Sequence, residues 1–291
     1  MSIISIITPT FNRASFLKRM IKSVLHQEFT RWELIIIDDG STDSTKDVVT
    51  EFNDNRIRYF YVPHQGAAKS RNFGIRKAGS DYITFLDSDD EALSGWLSNF
   101  YNVILEEKSW MISCGYIRID STGVRRAVMP QYFGNNSIKI NFKSGTLFFD
   151  KRLLRNINGF DPSLPSGLNT DLILRSIKYI NFHQVPIHFI NETLLKVYEH
   201  KEKRIRNDLE AVYKGTQILL NKHHGFFQEN KKLYQDYLSV AGVCLAKLGK
   251  FEKSRSYCWR AFKINPSVKS GIRVLLTSIP YLYEFFWLEK R

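Results

Sequence analysis

The sequence predicts an α/β protein with a mostly parallel central sheet, followed by a C-terminal α-helical extension. Apolar runs of strand length alternate with helical stripes from residue 3 to residue 90, and acidic residues gather where two of those runs end. From residue 201 the chain turns basic and reads as helix.

Ile3 to Thr8 is a nearly continuous β-branched run closed by Thr8-Pro9-Thr10, which suits a buried parallel strand ending in a turn. Between Arg13 and Gln27, Leu17, Met20, Ile21, Val24 and Leu25 recur at three- and four-residue spacing, the stripe of an amphipathic helix. The same alternation predicts a strand over Trp32 to Asp38, a helix over Ser44 to Phe52, a strand over Arg56 to Val62, a helix over Ala67 to Ala78 and a strand over Tyr82 to Leu86. Such a chain builds a parallel sheet, with its ligand crevice beyond the carboxyl ends of the strands.

After residue 108 the alternation weakens into a mixed second half. Trp110 to Asp120, Ser144 to Asp150, Val185 to Ile190 and Leu194 to Tyr198 read as strands, and Thr170 to Tyr179 as a helix. Helices follow, punctuated by Gly215, Gly225, Gly249 and Pro266. Leu238, Gly242, Leu245, Ser254, Cys258, Ala261 and Pro266 resemble one tetratricopeptide repeat by spacing, which is a single helical pair and not a solenoid.

Charge places a domain boundary near residue 200. The 291 residues carry 42 Lys+Arg and 29 Asp+Glu, and residues 201–291 hold 18 and 8 of these. We therefore expect domains at 1–200 and 201–291. The uncharged stretches Tyr237 to Ala246 and Val274 to Tyr283 fall well short of the roughly 18 apolar residues of a membrane span. The start Met1-Ser-Ile-Ile lacks a basic leader region, so a cytoplasmic location is expected. Cys114, Cys244 and Cys258 have neither disulfide nor metal-site spacing and read as buried apolar residues. A basic segment seeks nucleic acid or an anionic membrane. No nucleic-acid motif accompanies it, so nucleic acid is not an expected partner. Lys269 to Arg291 mixes Ile272, Leu275, Phe285, Phe286 and Trp287 with basic residues. It suits a segment lying peripherally on the membrane, or a helix packed on the N-terminal domain or against a second copy in a homodimer.

The chemistry lies at the strand ends. Asp38-Asp39 and Asp87-Ser88-Asp89-Asp90 each follow a buried apolar run. Gathering carboxylates there calls for a cation, and an all-oxygen set suits Mn²⁺ or Mg²⁺, which leave positions open for substrate phosphates.

Five motifs in order then carry a resemblance: Ile6-Ile-Thr-Pro-Thr-Phe-Asn-Arg13, Ile37-Asp-Asp-Gly-Ser-Thr-Asp43, Gly66-Ala-Ala-Lys-Ser-Arg-Asn-Phe-Gly74, Tyr82-Ile-Thr-Phe-Leu-Asp-Ser-Asp-Asp90 and Asn158-Gly-Phe-Asp161. Residues 2–200 resemble the family 2 inverting glycosyltransferases, whose nucleotide-binding domain is of the GT-A type. The resemblance implies a nucleotide-sugar donor, a UDP-sugar, and a saccharide or lipid-linked acceptor in surface polysaccharide or glycoconjugate synthesis. It implies that Pro9 and Arg13 line the nucleotide, that Asp39 accepts from the ring N–H of uracil, and that Arg71 contacts base or phosphates. Asp87 and Ser88 lie near the ribose, Asp89 is the metal ligand, and His200 is placed near metal or diphosphate. A nucleotidyltransferase on a similar fold is disfavoured, because no Gly-rich phosphate loop follows the first strand.

One position departs from the family pattern. The relatives carry a Glu-Asp pair, its aspartate the catalytic base six residues before an arginine; here Leu168-Asn169 precede Arg175. An amide does not accept a proton at neutral pH. Asp171, two residues on, is either a substitute base or a carboxylate at a helix start, where the dipole favours it. The alternative to an active transferase is therefore a sugar-nucleotide-binding or scaffold protein that has lost its base.

Overall fold

The computed structural model describes residues 3–132, 139–199 and 208–278. The chain divides into two compact units, Met1–Pro162 with Asn169–Lys201, and Ser163–Leu168 with Glu202–Arg291.

The first unit opens with β1 (Ile4–Thr10), α1 (Ala14–Leu25), β2 (Trp32–Asp38), α2 (Thr45–Thr50), β3 (Ile57–Tyr61), α3 (Ala67–Lys77) and β4 (Tyr82–Phe85). All seven residues of β2 are buried, as a parallel strand covered on both faces requires. Leu17, Met20, Ile21 and Val24 form the buried stripe of α1.

A helix absent from the sequence reading follows. After the two-residue β5 (Glu91–Ala92), α4 (Trp96–Glu107) begins behind Gly95. It buries Trp96, Leu97 and Phe100, and the Phe100 ring stacks on Phe148 with centroids 3.6 Å apart. Next come β6 (Met111–Ile119), β7 (Arg125–Val128), β8 (Gln131–Tyr132), β9 (Lys139–Ile140), β10 (Leu147–Asp150), α5 (Lys151–Asn156), α6 (Leu168–His183) and β11 (Ile187–Tyr198). Two expected strands over 185–190 and 194–198 are thus one long strand. Its pairing with β6 shifts register between Phe189 and Thr193 and again before Lys196, so an irregular stretch joins what the pattern split.

Nine of the described strands form one sheet in the order β3-β2-β1-β4-β10-β6-β11-β5, with β7 paired to β6. The β3-β2-β1-β4 half is parallel. β10 enters antiparallel between β4 and β6, and β6 pairs parallel with β11. One apolar core joins Ile4, Ile6, Leu34, Ile36, Phe148 and Leu195 to the buried faces of α1 and α4.

The second unit is helical: α7 (Leu209–Lys222), α8 (His224–Glu229), α9 (Lys231–Lys247), α10 (Phe251–Ile264) and α11 (Val268–Ser278). Gly249 and Pro266 fall between helices, but Gly215 and Gly225 lie inside α7 and α8 and do not end them. Gly215 serves close approach instead: a Cβ there meets Ser166 Oγ at 2.5 Å. Helices α9 and α10 pair across Gly242, whose carbonyl accepts from Ser254 Oγ at 2.7 Å, with Leu238, Leu245, Cys258 and Ala261 buried. The three cysteines are free and buried. No helix among the described residues is long and apolar enough to cross a membrane.

Candidate functional site

The carboxyl ends of β1, β2 and β4 carry interlocking turns. Pro9 lies within β1 opposite Ile37 of β2. Asn12 holds the next turn: its N–H donates to Ser41 Oγ at 2.8 Å, and its side-chain oxygen accepts from the Thr42 N–H at 2.8 Å. Asp43 accepts from the Ala14 N–H at 3.1 Å, fixing the entry to α1 beside Arg13. Asp38 is consumed in structure, accepting from the Ser41 N–H at 2.8 Å and from the Tyr59 hydroxyl at 2.5 Å.

Asp39 is buried, and its carboxylate holds the turn into α3. It accepts from the N–H groups of Gln65 and Gly66 at 3.0 and 2.9 Å and from Ser70 Oγ at 2.8 Å. His64 Nδ1 lies 3.0 Å from the same carboxylate. A carboxylate offers about four acceptor sites, so this one is close to filled. The His64 ring packs on the exposed ring of Phe11, with centroids 4.4 Å apart. The sequence reading gave neither Phe11 nor His64 a role, because nothing local marks an aromatic residue in one turn as facing a histidine in another.

Beyond β4, the carboxylates of Asp87, Asp89 and Asp90 converge, with one oxygen of each within 4.8 Å of the others. The sequence reading singled out Asp87 and Asp89; the fold adds Asp90, which is fully buried. Three hard oxygen donors at this spacing fit a divalent cation of the Mg²⁺ or Mn²⁺ kind. Ser88 between them is buried, and the Asp89 carbonyl accepts from Arg19 at 2.8 Å.

Among the described residues, two cations face this cluster. Arg71 of α3 donates to Asp87 Oδ1 at 2.8 Å, its guanidinium 5.3 Å from the centre of the Phe160 ring. Lys143, in the turn before β10, places Nζ 3.6 Å from carboxylate oxygens of both Asp87 and Asp90. Burial alone favours the protonated acid at Asp87. The positive charges of Arg71 and Lys143, with hydrogen bonds from Arg71 and Ser144, outweigh it and hold the carboxyl below its ordinary range.

Ser144 ties the cluster to Asn169, the position at which the resemblance leads one to expect a base. Asn169, in the first turn of α6, donates to Ser144 Oγ at 3.1 Å and to the Phe142 carbonyl at 3.3 Å. Its amide therefore acts as a donor, and the hydroxyl it supports is among the groups that hold Asp87 ionised. Ser144 and Lys143 escaped the sequence reading because their contacts are made across the sheet.

The structure does not bring Asp171 to this cluster. Helix α6 starts at Leu168, so Asp171 is rotated roughly 200° from Asn169 about the helix axis. It is fully buried and ion-paired with Arg175 at 2.6 Å, and Arg175 also donates to the Ile157 carbonyl. A substitute base needs an exposed face that Asp171 lacks, which leaves it the helix-start carboxylate. Replacing Asp171 with alanine strands the Arg175 charge, and we expect urea unfolding to register a loss of about 3–5 kcal/mol. A variant as stable as the parent would contradict this structural role. His200 lies outside the described residues.

A groove also runs elsewhere, along α1. It encloses about 670 Å³ and is lined by Lys18, Arg19, Lys22, His26 and Glu91 among others.

Comparison with known proteins agrees with the five motifs. Over 94% of its length the chain is 28% identical to a putative colanic acid biosynthesis glycosyl transferase, WcaA, of Escherichia coli K12, covering 96% of that protein. It is 33% identical over 52% of its length to WfgD, an Escherichia coli UDP-Glc:alpha-D-GlcNAc-diphosphoundecaprenol beta-1,3-glucosyltransferase, covering 62% of it. Against two relatives matched at higher local identity, the chain spans 50% and 32% of their lengths. Among solved structures, residues 1–349 of S. aureus TarS in complex with UDP-GlcNAc superpose with a TM-score of 0.66 at 18% identity, over 98% of this chain and 87% of that one. That likeness is one of fold, the GT-A type. The model of the family described as glycosyl transferase family 2 matches residues 5–162, more than half of the chain. With the acidic cluster at the strand ends and this match along the same residues, the chain belongs to glycosyl transferase family 2.

Proposed function

We propose that the protein is a metal-dependent inverting glycosyltransferase that moves a sugar from a UDP-sugar to a saccharide or lipid-linked acceptor during surface polysaccharide synthesis. The observation that carries this reading is the convergence of Asp87, Asp89 and Asp90 beyond β4, with Arg71 and Lys143 facing them. The names of the relatives support it: one concerns colanic acid biosynthesis, another UDP-Glc and a diphosphoundecaprenol acceptor, and TarS is seen with UDP-GlcNAc.

In this reading the uracil ring lies against the exposed face of Phe11, with Pro9 and Arg13 lining the nucleotide. Its ring N–H takes the acceptor position on Asp39 that His64 now faces. Asp87 and Ser88 neighbour the ribose, and Arg71 meets the base or phosphates while keeping Asp87 ionised. Asp89 with Asp87 and Asp90 would hold Mn²⁺ or Mg²⁺, whose charge stabilises the departing diphosphate. The acceptor hydroxyl approaches from the Asn169 side, where a base is expected and an amide stands. Position 200, a histidine, is retained as a neighbour of metal or diphosphate.

The donor hydrogen bonds of Asn169 favour a second reading, a protein that binds the sugar nucleotide without efficient turnover. Both readings predict a donor site. Thermal unfolding with UDP, GDP, CDP and dTDP, each with Mn²⁺ and then with chelator, tests it. A ligand at 100 times its Kd adds about 2.7 kcal/mol of stability, so a shift selective for UDP and lost with chelator is expected. No shift with any nucleotide would overturn both readings.

For the acceptor side, α11 exposes Val268, Ile272 and Leu275 at i, i+4 and i+7. That stripe runs toward the aromatic and basic residues 279–291 of the sequence. It fits a segment resting on the cytoplasmic face of an anionic membrane, where a lipid-linked acceptor is presented.

A further inference from the structure

We propose that Lys143 is the resident counter-cation of the acidic cluster, and that a divalent cation binds Asp87, Asp89 and Asp90 by displacing its ammonium. The inference rests on reading the cluster as a metal site, and it identifies what a metal must compete with.

Among the described residues, Arg71 and Lys143 are the cations seen against these carboxyl groups, and they are held differently. Arg71 is fixed: it donates to Asp87 Oδ1 at 2.8 Å, packs over the Phe160 ring, and its side chain is 10% exposed. Lys143 stands 3.6 Å from both Asp87 Oδ2 and Asp90 Oδ2, beyond hydrogen-bond length, with its side chain 26% exposed. It sits between two of the carboxylates a metal would use, as a point charge on a flexible four-carbon stem.

The backbone beneath it is pinned independently of that charge. The Lys143 carbonyl accepts from the Thr146 N–H at 3.2 Å and from its hydroxyl at 2.7 Å. Gly145 turns at φ +78°, and its carbonyl accepts from Trp96 Nε1 at 2.9 Å. The ammonium can therefore leave the carboxylates while the turn stays in place. Once displaced it remains tethered beside the cluster, where an anionic diphosphate offers it a new partner. Metal and nucleotide consequently assist each other: the diphosphate takes the ammonium that the metal must evict.

The test is a titration of Mn²⁺ followed by the EPR signal of the free ion, on the wild type, Lys143→Gln and Lys143→Arg, with and without UDP. If the ammonium occupies the cluster in about nine molecules of ten, removing it raises Mn²⁺ affinity about tenfold in the absence of nucleotide. Lys143→Arg, which keeps the charge, gains nothing. UDP tightens Mn²⁺ binding in the wild type more than in Lys143→Gln. Lys143→Met, uncharged and of similar length, gives the same readout should Lys143→Gln not fold. Wild-type binding of Mn²⁺ with no gain in the uncharged variants overturns this inference and leaves the metal reading standing. Binding of Mn²⁺ by none of the proteins removes the metal reading, and this inference with it.

Discussion

Asn169→Asp increases turnover by about 10²- to 10⁴-fold, the range that a positioned general base contributes. The side chain occupies the first turn of α6, and its amide now donates to Ser144 Oγ and to the Phe142 carbonyl. A carboxylate cannot donate to that carbonyl and is repelled by it. The Ser144 hydroxyl, which already helps to hold Asp87 ionised, has one proton and cannot serve two carboxylates at once. Aspartate therefore turns away from Phe142, free to receive the acceptor's proton. The gain should fade as pH falls and the new carboxyl protonates, and stability should drop by about 0.5–1.5 kcal/mol for the hydrogen bond lost to Phe142. UDP release from a UDP-sugar, followed across pH, measures the first effect. Unchanged turnover in a folded variant that binds UDP would show that position 169 is not where the proton leaves.

Asp89→Ala removes turnover by about three orders of magnitude, the equivalent of roughly 4 kcal/mol of transition-state stabilisation from a bound cation. Folding is not expected to suffer. The contact that ties residue 89 to Arg19 uses the backbone carbonyl, which alanine keeps, and relieving three gathered carboxyl groups costs the apo protein little. The diagnostic result is a protein with wild-type unfolding behaviour in chelator that no longer gains stability from UDP with Mn²⁺. A variant that still responds to both would move the metal away from the Asp87, Asp89 and Asp90 cluster. Measuring Asn169→Asp alone and combined with Asp89→Ala separates the two roles, since a restored base without a metal site leaves the departing diphosphate unsupported.

The parallel half of the sheet was legible because its signals are local. Ile4 to Thr10 and Trp32 to Asp38 are almost wholly buried and read as β-branched and apolar runs with few interruptions, and the stripe of α1 repeats at helical spacing. Turn residues mark where each strand stops, and in a parallel sheet those stops share one edge. Asp87 and Asp89 stood out at that edge, whereas the role of Asp39 and the choice of Arg71 came through the family resemblance alone. Helix α4 was passed over although Trp96, Leu97 and Phe100 carry a stripe, because the acidic turn before it reads as the end of a unit. The single strand β11 was split because Asn191 and Glu192 interrupt its apolar pattern, while pairing with β6 carries the backbone across.

The class of protein, the alternation that builds the site's edge and the amide at position 169 can all be read along the chain. The packed fold settles what each of those residues touches. Strand β10 enters antiparallel beside β4, and this alone sets Lys143 and Ser144 against Asp87, far away along the chain. It decided also that Asp39 spends its carboxylate on the turn into α3, and that Asp171 is locked to Arg175 inside α6. Periodicity records which face of an element is buried, a property of neighbouring residues. A counter-ion or a hydroxyl bridge belongs to pairs joined by sheet order, and sheet order is chosen by packing across the whole core.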